Sequence, residues 1–405
     1  MDNSYKNSLV GGVPSEWDEV LLGDIFEEIG DRTSNRKEYE LYSLTIESGV
    51  VPKSERYERE FLTTKETDNY KIVQSEDFVY NPMNLRFGAI AKYSGQIPVC
   101  VSGYYNVFRV KNGFNPNFIE QYLKSKPFIN LYNRISTGTL VEKRRVHFSN
   151  FIIQNIPFPT VEEQKQIFEI LNTLDLEVLD IDGQIKDLTM LKKALAKKLL
   201  TEGIGHTEFK ESEIGIIPVE WTVKCLRDIT TIIMGQSPNS NSYNEEGEGL
   251  PFYQGKTEFG YMYPEAKKWC TEPTKVAETF DVLISVRAPV GTVNICEEKS
   301  CIGRGLGAVR ETTNSYYKFI YYLLDNSQAK LNEVGQGSTF TAINSNDLAS
   351  LKIAVPQIEE QYKIADILSA LDNRILLYTD QKSDYTQLKE GLMQQLLTGK
   401  VRVVI

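Results

Sequence analysis

Histidine is nearly absent from this 405-residue chain, which holds only His147 and His206. That leaves no material for a histidine-based triad or an imidazole metal centre. Cysteine is scarce too: Cys100, Cys225, Cys270, Cys296 and Cys301 are odd in number and form no Cys-x-x-Cys pair. A disulfide framework and a zinc site are therefore not expected, and a reducing, cytoplasmic setting is. No apolar run approaches the roughly 20 residues that span a bilayer, and the polar N-terminal stretch has neither signal-peptide nor lipid-anchor character. Positive charge is not in excess either. Lys and Arg number 45 against 55 Asp and Glu, a net −10, which taken alone argues against nucleic acid as a partner. Catalytic motifs are missing as well. There is no P-loop, and Gly303-x-Gly305-x-Gly307 lacks a following helix with an acidic ribose ligand. Tyr80-Asn81-Pro82-Met83 lacks the second proline and the aromatic that would cradle a flipped base. Asp281 with Glu297-Glu298-Lys299 is too common a pattern to mark a metal nuclease.

What the chain does have is a repeat. Hydrophobic residues make up 41%, enough to bury a core, and the length suits about two to four domains. VPSEWDEVLLGDI (13–25) returns as IPVEWTVKCLRDI (217–229), and IPFPTVEEQKQIFEIL (156–171) returns as IAVPQIEEQYKIADIL (353–368). The second match continues without insertion to Leu199-Leu200-Thr201 and Leu396-Leu397-Thr398. Two long copies indicate a duplicated architecture, not a solenoid. Each copy ends in a helical seam. Ile167, Leu171, Leu174, Val178, Ile181, Ile185, Leu188, Leu195 and Leu199 advance in steps of three and four, broken only at Lys192. Ile364, Leu368, Leu371, Ile375, Tyr378, Tyr385, Leu392 and Leu396 do the same, with Lys382 and Lys389 in the seam. That spacing predicts coiled-coil rods roughly 60 Å long, opened by Pro159 and Pro356 and closed by Gly203 and Gly399.

Residues 1–155 and 206–352 read instead as strands and turns, with helical stretches near 116–133 and 315–333. The organisation expected is an α+β domain (1–155), a helical region (156–205), a second α+β domain (206–352) and a second helical region (353–405). The two domains agree in framework and differ in their loops, as two separate recognition tasks would require. Charge is local. Between residues 86 and 145 ten basic side chains face only Glu120 and Glu142, and Tyr, Asn and Thr lie among them, the usual materials of phosphate and base-edge contacts. The matching stretch of the second copy is close to neutral.

The chain resembles the specificity subunit of type I restriction–modification systems over nearly its full length. The first copy carries PSEW (14–17), DFVYNPMNLRFGAI (77–90), GYYNVFRV (103–110) and PFPTVEEQKQI (157–167). The second carries PVEW (218–221), MGQSPNSNSY (234–243), DVLISVRAPVGTVNI (281–295), GRGLGAVR (303–310), GQGSTF (335–340) and VPQIEEQYKI (355–364). FEEIGDRT follows Asp24-Ile25 where a GQSP-like string would stand, so the first domain is of a different subtype. The resemblance implies two target-recognition domains and two antiparallel rods related by pseudo-two-fold symmetry. One half of a bipartite double-stranded DNA site would fall to each domain. It also implies two modification subunits and, in the full complex, restriction subunits, with S-adenosylmethionine, ATP and Mg on those partners and no catalysis, cofactor or metal in this chain.

The candidate DNA contacts follow. In the first domain they are Asn84, Arg86, Tyr105, Thr139, Lys143, Arg144 and Arg145. In the second they are Gln236, Ser237, Tyr253, Gln254, Lys256, Arg287, Arg304, Ser338 and Thr339. Glu162, Glu163, Gln164, Glu359, Glu360 and Gln361, at the starts of the rods, are the candidate partner contacts. Two rival readings stand beside this one: a self-contained methylase–nuclease, which the missing cofactor motifs disfavour, and a coiled-coil scaffold that assembles partners without reading DNA.

Overall fold

The computed structural model describes residues 5–35, 37–53, 69–336 and 342–403. The chain divides into two compact units, the first holding Met1–Ile181 with Gln381–Ile405 and the second holding Asp182–Asp380. Each unit contains one α+β domain and half of each rod. The rods are the helices Val161–Glu202 and Ile358–Leu396. They start just after Pro159 and Pro356, where the sequence places their entry. Before these prolines Asn155–Phe158 and Lys352–Val355 are strands, paired with Asp18–Leu21 and Thr222–Cys225. No helix among the described residues is long and apolar enough to cross a membrane.

The same antiparallel sheet lies at the heart of both domains. In the first unit its strand order is Ile90–Lys92, Phe78–Tyr80, Asn106–Val110, Phe26–Glu28. In the second it is Val293–Ile295, Val282–Ser285, Leu306–Glu311, Thr230–Met234. One ion pair, a buried carboxylate with a partly exposed guanidinium, recurs on it. Arg109 Nε donates to Asp77 Oδ1 at 2.7 Å, and Arg310 Nε donates to Asp281 Oδ1 at 2.8 Å. Both carboxylates are buried, and each also accepts a backbone N–H, from Gln74 and Glu278 respectively. A buried charge so paired and hydrogen-bonded is tolerable where a lone one is not. Helices cover the sheets: Pro116–Lys124 and Lys126–Ile135 in the first unit, Tyr317–Asn326 and Gln328–Gln336 in the second. Asn115 caps the first of these through the N–H groups of Asn117 and Phe118. Pro127, which cannot continue a preceding helix, separates it from the next.

Within each unit the rod halves run antiparallel. In the first, Glu163 bonds Arg402 and Asp175 bonds Lys389. In the second, Lys192 bonds Asp372 and the Ile204 N–H donates to Glu360. Moving forward along one helix thus means moving backward along the other. The repeated Pro-x-Glu-Trp closes the end of each arrangement. Trp17 and Trp221 are buried, and their Nε1 groups donate to Glu163 at 3.2 Å and Glu360 at 2.9 Å. Gly399 and Gly203, at φ +65° and +68°, end the rods against these indoles. A Cβ on Gly399 would sit 2.4 Å from Pro14 Cδ, so glycine is required there for space as well as for φ.

Candidate nucleic-acid interface

In the first domain three segments converge. The turn Leu85–Phe87 packs on the end of Lys126–Ile135, where Asn133 Nδ2 donates to the Arg86 carbonyl at 3.2 Å. The loop that follows folds back on both. Thr137 and Arg145 exchange backbone hydrogen bonds at 2.9 Å, and the Val146 N–H donates to the Pro82 carbonyl at 2.9 Å. Asn84, Phe87, Thr139, Lys143 and Arg145 are exposed there. The Arg86 guanidinium lies 4.6 Å from the Phe87 ring centroid, and its Nε is buried without a hydrogen bond. A cation held over an exposed aromatic is suited to phosphate.

Two expectations for this domain need correction. Arg144 is a staple of the loop: its Nη2 donates to the carbonyls of Asn133 at 3.2 Å and Ser136 at 3.0 Å. Tyr105 lies elsewhere, half-buried against the apolar cluster of Val73, Val79 and Val107. Burial raises its phenol above the ordinary value while a backbone hydrogen bond at Leu44 opposes that. The positive field of residues 86–145 is also weaker than the residue count implies. Arg109 is spent on Asp77 and Lys92 on Glu76, acids just outside that window, and Lys124 pairs with Glu120. Lys111 donates to the Gly23 carbonyl and Arg134 to that of Leu9. Arg86, Lys126, Lys143 and Arg145 keep no ion pair among the described residues.

In the second domain glycines bring three loops together. A Cβ on Gly235 would lie 2.2 Å from the Gly303 carbonyl, and one on Gly305 would lie 2.4 Å from the Gln254 carbonyl. The Gly303-x-Gly305-x-Gly307 run is thus a packing junction, with no phosphate loop. Across it the Arg304 N–H donates to Ser237 Oγ at 3.3 Å, the Gln236 N–H to the Ile302 carbonyl at 3.0 Å, and the Val286 N–H to the Gly305 carbonyl at 2.9 Å. Glu258 caps the neighbouring turn by accepting from the N–H groups of Gln254 and Gly255. Gln236, Gln254, Lys256, Arg287 and Arg304 emerge exposed, with Ser237 half-buried. Tyr253 does not join them. It belongs to the core with Leu283, Ile302 and Leu306, and burial pushes its phenol up to about 12. Ser338 and Thr339 lie outside the described residues.

The starts of the rods also differ from expectation. Glu163, Gln164 and Gln361 are buried and Glu360 nearly so. Glu163 is shared by Trp17 and Arg402, and Glu360 by Trp221, His206 and Ile204. Gln164 Nε2 donates to the Pro159 carbonyl, and Gln361 Nε2 to those of Pro356 and Asn314. Their hydrogen-bonding capacity is consumed within their own unit, leaving Glu162 and Glu359 exposed. The Asp77–Arg109 and Asp281–Arg310 pairs went unread in the sequence, although an Asp heads each apolar strand and an Arg ends the strand beside it.

The family described as the type I restriction modification DNA specificity domain matches residues 14–189 and 218–384. A protein of Methanocaldococcus jannaschii that carries the name MjaX type I restriction enzyme specificity subunit is 36% identical over 99% of this chain and 97% of its own length. The MjaVIII specificity subunit of the same organism is 26% identical over 96% and 94%. A chain from a structure of the assembly and conformational transition of the type I R-M system is 27% identical, covers 96% of this chain and 99% of its own, and superposes with a TM-score of 0.62. The S subunit of a type I restriction-modification system from M. genitalium, at 15% identity, shares the fold with a TM-score of 0.61 over 98% of this chain and 97% of its own. With its duplicated domains and antiparallel rods, the chain belongs to the type I restriction–modification DNA specificity family.

Proposed function

We propose that the chain reads a bipartite double-stranded DNA site, one half per domain, as the non-catalytic subunit of a cytoplasmic complex with two modification subunits and, for cleavage, restriction subunits. S-adenosylmethionine, ATP and Mg would be held by those partners. One observation carries the reading: the buried framework is the same twice over, while the solvent-facing polar loops differ. A shared sheet with its Asp–Arg pair can present two different sets of side chains without refolding. In the first domain Arg86, Lys143 and Arg145 would take phosphates while Asn84 and Thr139 approach base edges. In the second, Gln236, Ser237, Gln254, Lys256, Arg287 and Arg304 are the corresponding set. Support for docking on the rods comes from outward apolar positions kept in both copies. Ile170 and Ile367 are 38% and 40% exposed, and Leu191 and Leu388 are 47% and 50% exposed. Matched apolar side chains on both rods suit a pair of like partners.

Replacing residues 1–155 by the corresponding domain of a relative tests the reading. Methylation mapped in cells that also carry the modification subunit should change in one half of the site and persist in the other. An unchanged map would favour a scaffold that does not read DNA.

A further inference from the structure

A seam of aliphatic residues holds two helices together without saying where along each other they stop. Sliding by a heptad replaces one leucine in its hole by the next. Each unit contains one feature that does not tolerate such a slip. In the second unit Lys192 reaches across the seam to Asp372, whose carboxylate is fully buried. The Tyr261 hydroxyl donates to the same carboxylate at 2.7 Å and the Tyr322 hydroxyl at 2.6 Å. The Lys192 ammonium also lies 5.6 Å and 5.5 Å from the centroids of those two rings. In the first unit Lys389 reaches Asp175, which accepts a further hydrogen bond from Gln121 at 3.2 Å. Lys192 and Lys389 occupy seam positions where an aliphatic residue would otherwise sit. Another register would leave the buried Asp372 carboxylate without its cation in the second unit, and in both units would set a seam ammonium against apolar side chains away from its carboxylate.

We infer that Lys192–Asp372 and Lys389–Asp175 are register pins, and that they are positioning residues for recognition because they fix the number of unread base pairs between the two half-sites. The second pin does more than align helices. Tyr322 comes from the helix Tyr317–Asn326, and Tyr261 lies close in sequence to the exposed Gln254 and Lys256. Asp372 therefore fixes the helix register and the seating of the second domain on its rod half through one carboxylate. Gln121, from the helix Pro116–Lys124, makes the matching link in the first unit.

This inference rests on the split-site reading above, and the test separates the two. The chain is assembled with its modification subunits and offered a library of sites whose unread spacer is lengthened or shortened one base pair at a time. The unaltered complex should methylate one spacer length; if it methylates no split site at all, the functional reading fails. Asp372→Asn and Lys389→Met should each admit neighbouring spacer lengths, lowering spacer discrimination about tenfold, while both half-site sequences stay the same. The charge exchange Lys389→Asp with Asp175→Lys should restore a single spacer. Lys389 and Asp175 are partly exposed, so these variants decide the matter even if Asp372→Asn does not fold. Split-site methylation with spacer preference unchanged in Lys389→Met, or left broad in the exchange variant, overturns the pins.

Discussion

Asp281 is 1% exposed, and its oxygens are taken by the Arg310 guanidinium and the Glu278 N–H. Asp281→Asn would leave Arg310 without its counter-charge. Because that guanidinium is partly exposed, the loss should fall below that of a fully buried pair, about 2–3 kcal/mol in urea denaturation. Four of the five cysteines are buried and Cys225 is not. Burial pushes the Cys296 thiol up to about 11 and the Cys301 thiol up to about 12. One thiol per folded chain should therefore react quickly with a disulfide reagent at neutral pH, the others only after denaturation; two fast thiols would contradict this. Cys296 and Tyr253 hold their protons to higher pH when folded than their ordinary values of 9.0 and 10.0. Their contribution to stability is complete below about pH 9 and is lost as pH climbs towards about 12. Denaturation across that range should show the decline, and Tyr253→Phe should make it shallower. Tyr253 also shows where residue-level reading failed. A tyrosine in a strand between divergent loops has the same sequence signature whether its hydroxyl meets DNA or lies in the core.

Rods were the most legible elements, because a seam advancing in steps of three and four has no other common source. Their interiors each contain a glycine with open space around it, Gly183 and Gly391. Replacing either by alanine should stabilise the chain by roughly 0.5–1 kcal/mol, since an exposed helix interior favours alanine. Gly399→Ala should do the opposite, losing about 1–3 kcal/mol, because it combines an unfavourable φ with overlap on Pro14 and Trp17. Thermal melts of the three variants check both signs. The starts of the rods were less legible. Glu163 and Glu360 fit the rule that acids favour helix N-termini, but the sequence does not say that a tryptophan indole will arrive to claim them. Nor does it show that the short apolar runs before Pro159 and Pro356 are strands, Asn155–Phe158 and Lys352–Val355, although the prolines mark where the helices open.

At the scale of the whole molecule the question is how a chain of net charge −10 holds a polyanion. The ten basic residues between 86 and 145 do not act as one patch. Several are committed to Asp77, Glu76, Glu120 or backbone carbonyls, and Arg144 braces its own loop. Among the described residues, Arg86, Lys143 and Arg145 combine a charge without an ion pair with the converging loops of the first domain. Each phosphate neutralised by a cation contributes about 0.9 to the slope of log K against log salt. Converting all three to alanine should therefore lower the slope of the assembled complex by about 2–3 and weaken every DNA sequence alike. Arg109→Ala serves as the contrast. It removes the same charge but breaks the pair with Asp77, so it should lower stability and leave the salt slope of the folded fraction unchanged. With so few cations committed to phosphate, the isolated chain should bind its site weakly and gain most of its affinity when modification subunits are added. A titration by fluorescence anisotropy at several salt concentrations, with and without those subunits, measures both quantities. Tight, site-specific binding by the chain alone, with a slope indifferent to the triple substitution, would mean that phosphate contacts lie on other residues than these.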